Sequence, residues 1–264
     1  FFNVQLTADQ VEALCRLIPQ TSVTRFHLDW NASLESDRDD SLLPPPSVFT
    51  ELLAPTSNVS ELSLRRCGLT TAHAVAIAQA LQANPNGSSK LELLNLFDNP
   101  QIGDDGAIAL AYALPFTPSL QSVSLGNTGL SGVAARVLVE VLGPKYVAPP
   151  ALLRYLEDAE PRIQAELDQA KKAKKKLDRA GAIHNLGLPT LETVDGVPYA
   201  VGNATLRDLI LSGNDLITET AVLAMDAVLQ KLPTASSLQR IKLQRIPALH
   251  AFAAHDTLSR ILHL

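Results

Sequence analysis

Between residues 91 and 114 the spacing of apolar positions changes halfway. Leu91, Leu94 and Leu96 close on Asn99 as L-x-x-L-x-L-x-x-N, and Ile108, Ala109, Ala111, Ala113 and Leu114 then follow at closer intervals. The first spacing suits a short strand with one buried side, and the second suits a helix. A strand handing over to a helix within one short unit predicts a βα repeat.

The opening pattern recurs. Val23, Phe26, Leu28 and Asn31 make one copy, and Val59, Leu62, Leu64, Cys67 and Leu69 another. After the copy at Leu91 come Leu120, Val123, Leu125, Thr128 and Leu130, then Leu206, Leu209, Leu211, Asn214 and Leu216, then Leu238, Ile241, Leu243 and Ile246. Successive starts are separated by 36, 32, 29, 86 and 32 residues, so one gap alone is abnormal. Six parallel strands are therefore expected, starting near Val23, Val59, Leu91, Leu120, Leu206 and Leu238. Helices are expected over 71–83, 104–114, 131–142 and 218–232, with Thr70, Ser131 and Thr218 as N-caps. The Asn or Cys after each strand should point inward and bond backbone groups of neighbouring turns.

The repeat resembles the leucine-rich repeat family, in its ribonuclease-inhibitor-like class with long helical units. The match is fullest from Leu91 to Leu114, where L-x-x-L-x-L-x-x-N is followed by I-G-D-x-G-A-x-A-L-A-x-A-L. The other copies match less fully, and Thr128 and Ile246 depart from the Asn/Cys consensus. The resemblance implies an α/β solenoid, with a curved parallel sheet on the concave side and helices on the convex side. It divides the chain into a cap helix at 1–20, repeats at 21–143, an insertion at 144–204 and further repeats at 205–264.

Leu6-Thr7-Ala8-Asp9-Gln10-Val11 combines a T-x-x-Q capping box with a Leu6–Val11 hydrophobic staple. Val11, Leu14, Cys15 and Ile18 then share one face, suited to covering the open end of the first repeat. The stretch 35–46, acidic and then Pro-Pro-Pro, is expected to be an exposed loop lengthening that repeat.

The abnormal gap sets aside Pro144–Ala204 as an insertion that the solenoid could lose. Gly143-Pro144 and Pro149-Pro150 should end the preceding helix, and one helix is expected from Pro161 to a cap at Gly181. Ile163, Leu167, Ala170 and Leu177 give it a thin apolar stripe. Its charges are segregated: two basic and five acidic residues from Arg154 to Asp168, then six basic and one acidic from Lys171 to Arg179. That order suits the helix dipole, and Lys171, Lys172, Lys174, Lys175 and Lys176 also form a candidate docking site for an acidic partner. Asp195-Gly196 between β-rich arms predicts a hairpin, with Pro198 assigning its arm to an edge.

Composition narrows the function. Apolar residues make up 46% and aromatics only 5%, so Leu and Ala must fill the interior through many small contacts. The net charge of −5 argues against nucleic-acid binding by the domain as a whole. Cys15 and Cys67 show no paired spacing, which favours a reducing compartment over a disulfide framework or a zinc site. Four N-x-S/T sequons occur, at Asn31, Asn58, Asn86 and Asn203, but Asn31 is expected to be buried. No apolar run reaches membrane-spanning length. The first residue is Phe1, as expected of a processed product or a fragment.

No catalytic motif, cofactor site or calcium-loop spacing is present. His250, His255 and His263 do not stack on one helix face, and Asp37, Asp39 and Asp40 lack the spacing of a calcium loop. The expected function is a non-catalytic protein-interaction module or scaffold in the cytoplasm. Alternatives implied by the resemblance are a structural subunit of a large assembly such as a ciliary axoneme, and an activator of the Ran GTPase. Innate immune receptors of the nucleotide-binding type carry such repeats too, and this chain lacks their nucleotide-binding part. Strand alternation places Arg25, His27, Glu61, Ser63, Arg65, Leu93, Asn95, Phe97, Ser122, Ser124, Asp208, Ile210, Arg240 and Lys242 on the concave face. Arg65, Leu93, Asn95, Phe97, Ile210 and Lys242 are the candidate contact residues. Leu93, Phe97 and Ile210 are apolar, and a partner or the folded-back insertion is expected to cover them.

Overall fold

The computed structural model describes residues 1–4, 6–31, 47–83, 89–232, 236–249 and 261–263. The expected loop at 35–46 with Asp37, Asp39 and Asp40, the sequon at Asn86, and His250 and His255 lie outside them. Within the described residues the six leucine patterns all become strands: β1 (Arg25–His27), β2 (Glu61–Ser63), β3 (Leu93–Asn95), β4 (Ser122–Ser124), β8 (Asp208–Ile210) and β9 (Arg240–Lys242). They pair in parallel in the order β1-β2-β3-β4-β8-β9, and β10 (Leu262–His263) adds a seventh strand that the spacing did not announce. Each of the six leucine-pattern strands is three residues long and buries its middle side chain, Phe26, Leu62, Leu94, Val123, Leu209 or Ile241, at 2% exposure or less.

The helices α3 (Thr71–Gln82), α4 (Gly103–Ala113), α5 (Gly132–Val141) and α9 (Glu219–Leu229) pack side by side along the sheet. Small residues make this possible, since Ala74, Ala78, Ala107, Ala111, Ala134 and Ala135 are all buried. Ser131 and Thr218 cap α5 and α9 by accepting bonds from Val133 and Ala221 N–H. Thr70 caps α3, its N–H donating to His73 Nδ1 at 3.2 Å. Asp104 on α4 also accepts from Ser131 N–H and Oγ at 2.6 and 2.7 Å, tying the start of one helix to the next.

Helix α1 (Ala8–Leu17) opens with the expected capping box, with Thr7 and Gln10 bonding reciprocally. Val11, Cys15 and Ile18 are buried against the first repeat, and α1 packs on α2 (Val48–Leu52). One hydrophobic core runs without a break from Val11 to Leu262.

The insertion differs from expectation from its first element onward. It begins with a strand, β5 (Lys145–Val147), and continues through α6 (Pro150–Asp158), α7 (Glu160–Lys172) and α8 (Arg179–Asn185), not one long helix. Helix α7 stops at a Schellman turn, in which Lys174 N–H donates to Lys171 C=O and Lys175 N–H to Ala170 C=O. The left-handed position is held by Lys174 (φ 56°), where a glycine is usual, and so it gave no stop signal in the sequence. Gly181 is no cap but lies inside α8, its N–H bonded to Asp178, the N-cap.

The hairpin forms as expected, β6 (Leu191–Val194) against β7 (Val197–Val201), with Asp195 and Gly196 both at positive φ. Pro198, however, lies on the central strand of the sheet β5-β7-β6, not on an edge. It is tolerated because β5 ends there. Ala148 N–H donates to Pro198 C=O, and proline has no N–H to return the bond.

The insertion is also not a bare excursion. Tyr146, Ala148, Leu152 and Ala200 belong to the solenoid core, Tyr146 stacks on Tyr112 of α4, and Tyr155 meets Phe116 edge-on. Beyond them Ala159, Ile163, Ala182 and Leu188 form a separate small core. The root of the insertion thus belongs to the solenoid, and its tip packs on itself.

Candidate interaction face

The parallel register brings the outward side chains into rows. Arg25, Glu61, Leu93, Ser122, Asp208 and Arg240 are aligned, as are His27, Ser63, Asn95, Ser124, Ile210, Lys242 and His263. The hydrogen-bond ladder continues past the strands, from Trp30 N–H to Arg65 C=O, Arg66 to Phe97, Asp98 to Gly126, Asn127 to Ser212 and Gly213 to Gln244. That sets a third row of Asp29, Arg65, Phe97, Gly126, Ser212 and Gln244. The residue after each is left-handed: Trp30, Arg66, Asp98, Asn127, Gly213 and Arg245 have φ between 49° and 74°. This turn swings the next residue inward, where Asn31, Asn99, Thr128 and Asn214 are buried as expected.

The inward row welds repeats together. Asn99 donates to Leu64 and Leu96 C=O at 2.9 and 2.8 Å and accepts from Cys67 and Leu69 N–H at 3.0 Å each. Asn214 does the same between later copies, donating to Leu125 and Leu211 C=O and accepting from Thr128 N–H. Cys67 donates its thiol to Leu28 C=O, and burial pushes that thiol up to about 12. Cys15 is pushed up to about 12 as well, chiefly by burial, and both cysteines are free.

All six candidate contact residues face the concave side half-buried. Their apolar members are not bare. Phe97 lies over Gly126, where an added Cβ would stand 2.6 Å from its ring. The guanidiniums of Arg65 and Arg245 approach that ring, 5.4 and 5.5 Å from its centroid. A second pair follows the rim, with Arg66 4.5 Å over Trp30 and 3.8 Å from Asp98. Arg245, Gly126 and Trp30 were missed in the sequence, because their role depends on turns that stack residues from distant copies. The insertion does not fold back over Phe97; it packs at Tyr112, Phe116 and α5.

Charges on this face are partly matched. Asp208 pairs with Arg240 at 2.7 Å, His27 lies 3.6 Å from Glu61, and Asp29 accepts from Ser63 Oγ and Arg65 N–H. Among the described residues no carboxylate lies within ion-pairing distance of Arg65, Lys242 or Arg245.

The lysines of the candidate docking site, Lys171, Lys172, Lys174, Lys175 and Lys176, are all exposed around the carboxyl end of α7. There they face the negative end of the helix dipole, and Lys171 reaches Asp168 at 3.9 Å. Lys174→Gly should stabilise this turn. The left-handed penalty of about 1–2 kcal/mol exceeds the extra entropy of glycine, about 0.5–1 kcal/mol. Slower amide exchange at Lys175 is the expected readout, and faster exchange would show that the lysine itself holds the turn.

A leucine-rich repeat family model matches residues 87–111 and 202–225, which contain the strands β3 and β8 with parts of the helices that follow. These two copies are leucine-rich repeats. With seven parallel strands in chain order among the described residues and helices on the other side, the fold is a leucine-rich-repeat solenoid. A search of curated proteins gives no match to the chain. Among the described residues no cluster of His, Cys, Asp and Glu could hold a metal ion, and no helix is long and apolar enough to cross a membrane.

Proposed function

We propose that this leucine-rich-repeat solenoid is a non-catalytic protein-interaction module or scaffold of the ribonuclease-inhibitor-like class, binding through its concave face and carboxyl rim. Repeat spacings of 29–36 residues, with helices of 10–12 residues, support the class. The observation that carries the function is Phe97, seated above Gly126 and flanked by Arg65 and Arg245. Aromatic and arginine side chains held rigidly at a half-exposed site are the types that dominate interface energetics. Among the described residues Arg65, Lys242 and Arg245 have no carboxylate within ion-pairing distance, which supports a recognised segment with acidic groups beside an apolar side chain.

The test is affinity purification from the native cell with mass spectrometry, using the parent chain and the Leu93→Asp, Phe97→Asp double variant. Loss of a hot-spot aromatic costs about 2–4 kcal/mol of binding, so the principal partner should disappear from the variant while its circular dichroism stays unchanged. Full retention of the partner would move the interface elsewhere. Recovery with sedimenting cytoskeletal material would point to a structural subunit of an assembly such as an axoneme. Acceleration of GTP hydrolysis by added Ran would instead mark a GTPase activator.

A further inference from the structure

At the tip of the insertion, α6, α7, α8 and the start of β6 enclose a cavity of about 410 Å³, open on one side. Leu156, Ile163, Ile183 and Leu191 line it with apolar surface, and the exposed side chains Glu157, Glu160 and Arg179 line it with charge. Glu160 and Arg179 satisfy one another through two bonds of 2.6 Å, and that pairing holds the Glu160 carboxyl below its usual range. Among the described residues Glu157 has no cation within ion-pairing distance. The cavity therefore presents one uncompensated carboxylate above an apolar floor.

The same place carries an open sheet edge. Strand β6 is the outer strand of β5-β7-β6, and all four of its residues are exposed. Its two-residue turn makes Val194 and Val197 the hydrogen-bonded closing pair, with Glu192 and Tyr199 the next. The N–H and C=O groups of Leu191 and Thr193 then point away from β7, and they take up no backbone bond among the described residues. Leu191 both belongs to that edge and lines the cavity. A strand added beside it would alternate its faces, sending every second side chain toward the cavity.

We propose that this cavity and the free edge of β6 form one binding site for an extended segment of a partner protein, bearing a large apolar side chain two residues from a Lys or Arg, so that both point to the same face. The segment becomes the fourth strand of the small sheet, bonded to Leu191 and Thr193. Its apolar side chain fills the cavity and its cation meets Glu157. The site is distinct from the concave face, because the insertion packs on α4, α5 and the turn at Leu114–Phe116.

The experiment probes the full chain with immobilised octapeptides whose centre is Lys-Ala-Leu or Lys-Ala-Phe, alongside the same peptides with Glu in place of Lys. Lys peptides should be captured selectively, with protection of the Leu191 and Thr193 amides. Glu157→Lys should weaken capture at least tenfold and reverse the charge preference. Thr193→Pro removes only an outward N–H, which an edge strand tolerates, and should abolish capture while leaving the β6–β7 exchange pattern intact. The Leu93→Asp, Phe97→Asp variant should capture peptides as the parent does. No preference for Lys over Glu, or capture indifferent to Thr193→Pro, would overturn the proposal. So would a concentration-dependent dimer that Thr193→Pro dissolves without any peptide capture, since the edge would then belong to a second copy. Loss of capture in the concave variant would overturn it too, by placing the peptides on the other face.

Discussion

Asn99→Ala should destabilise the solenoid by about 4 kcal/mol or more, since each buried polar group left without a partner costs about 1–3 kcal/mol. The side chain is fully buried, and its amide serves two neighbouring repeats at once. Its oxygen accepts from Cys67 and Leu69 N–H, and its nitrogen donates to Leu64 and Leu96 C=O. Alanine leaves the two N–H groups unpaired in a place where the leucines above and below exclude water. Thr128→Ala is the control. Its hydroxyl donates to Leu125 C=O at 2.7 Å, with Asn214 Oδ1 farther off at 3.5 Å, and Asn214 still donates to that Leu125 C=O, so one neutral bond is lost at about 1 kcal/mol. Urea titration followed by circular dichroism should separate the two variants clearly. A loss at Asn99 no larger than at Thr128 would mean that a water molecule replaces the amide and that the inward row does not weld the repeats.

The inward row was legible in the sequence because a strand repeats every two residues and its exit turn has a fixed length. Leu91, Leu94, Leu96 and Asn99 hold their roles whatever surrounds them. The same logic placed Phe26, Leu62, Val123, Leu209 and Ile241, and the helix caps at Thr70, Ser131 and Thr218. What stayed hidden depends on contacts between distant residues or on unusual local chemistry. Strand β10 has two residues and no leucine pattern before it. Strand β5 pairs with a partner more than 50 residues away. The break after α7 uses a left-handed lysine, and a run of lysines otherwise reads as uninterrupted helix.

The candidate face shows the same division. Alternation put Arg65, Leu93, Asn95, Phe97, Ile210 and Lys242 on one side. It could not show that a glycine one repeat away opens a slot for Phe97, or that Arg245 reaches back over the ring. The cavity at the tip of the insertion was less visible still. It arises where three helices and a strand meet, and the sequence was expected to form only one of those helices.

The insertion leads to the second large effect: Gly202→Ala should lower stability by about 3 kcal/mol, the upper end of the usual overpacking cost. A Cβ at this position would lie 1.9 Å from Gly143 C=O oxygen and 2.5 Å from that of Val141. Both obstacles are backbone, so no rotamer change relieves them. The outgoing and returning chains are locked together here: Gly202 N–H donates to Pro144 C=O and Asn203 N–H to Val141 C=O. Asn203 is itself buried, with its amide donating to Leu114 C=O at 2.7 Å and its oxygen accepting from Leu206 N–H at 2.8 Å. That second bond sets the start of the next repeat, which explains why the leucine pattern resumes directly after the interruption. Forcing the two chains apart should therefore loosen β4 against β8 as well as the insertion. Ile163→Ala supplies the contrast, because Ile163 belongs to the small core at the tip. Its loss should speed amide exchange in α7 and α8 and leave the exchange of β4 and β8 unchanged. If Gly202→Ala altered only the insertion's amides, the root would be hinged to the solenoid, and the repeats on either side would be joined by their own contacts alone.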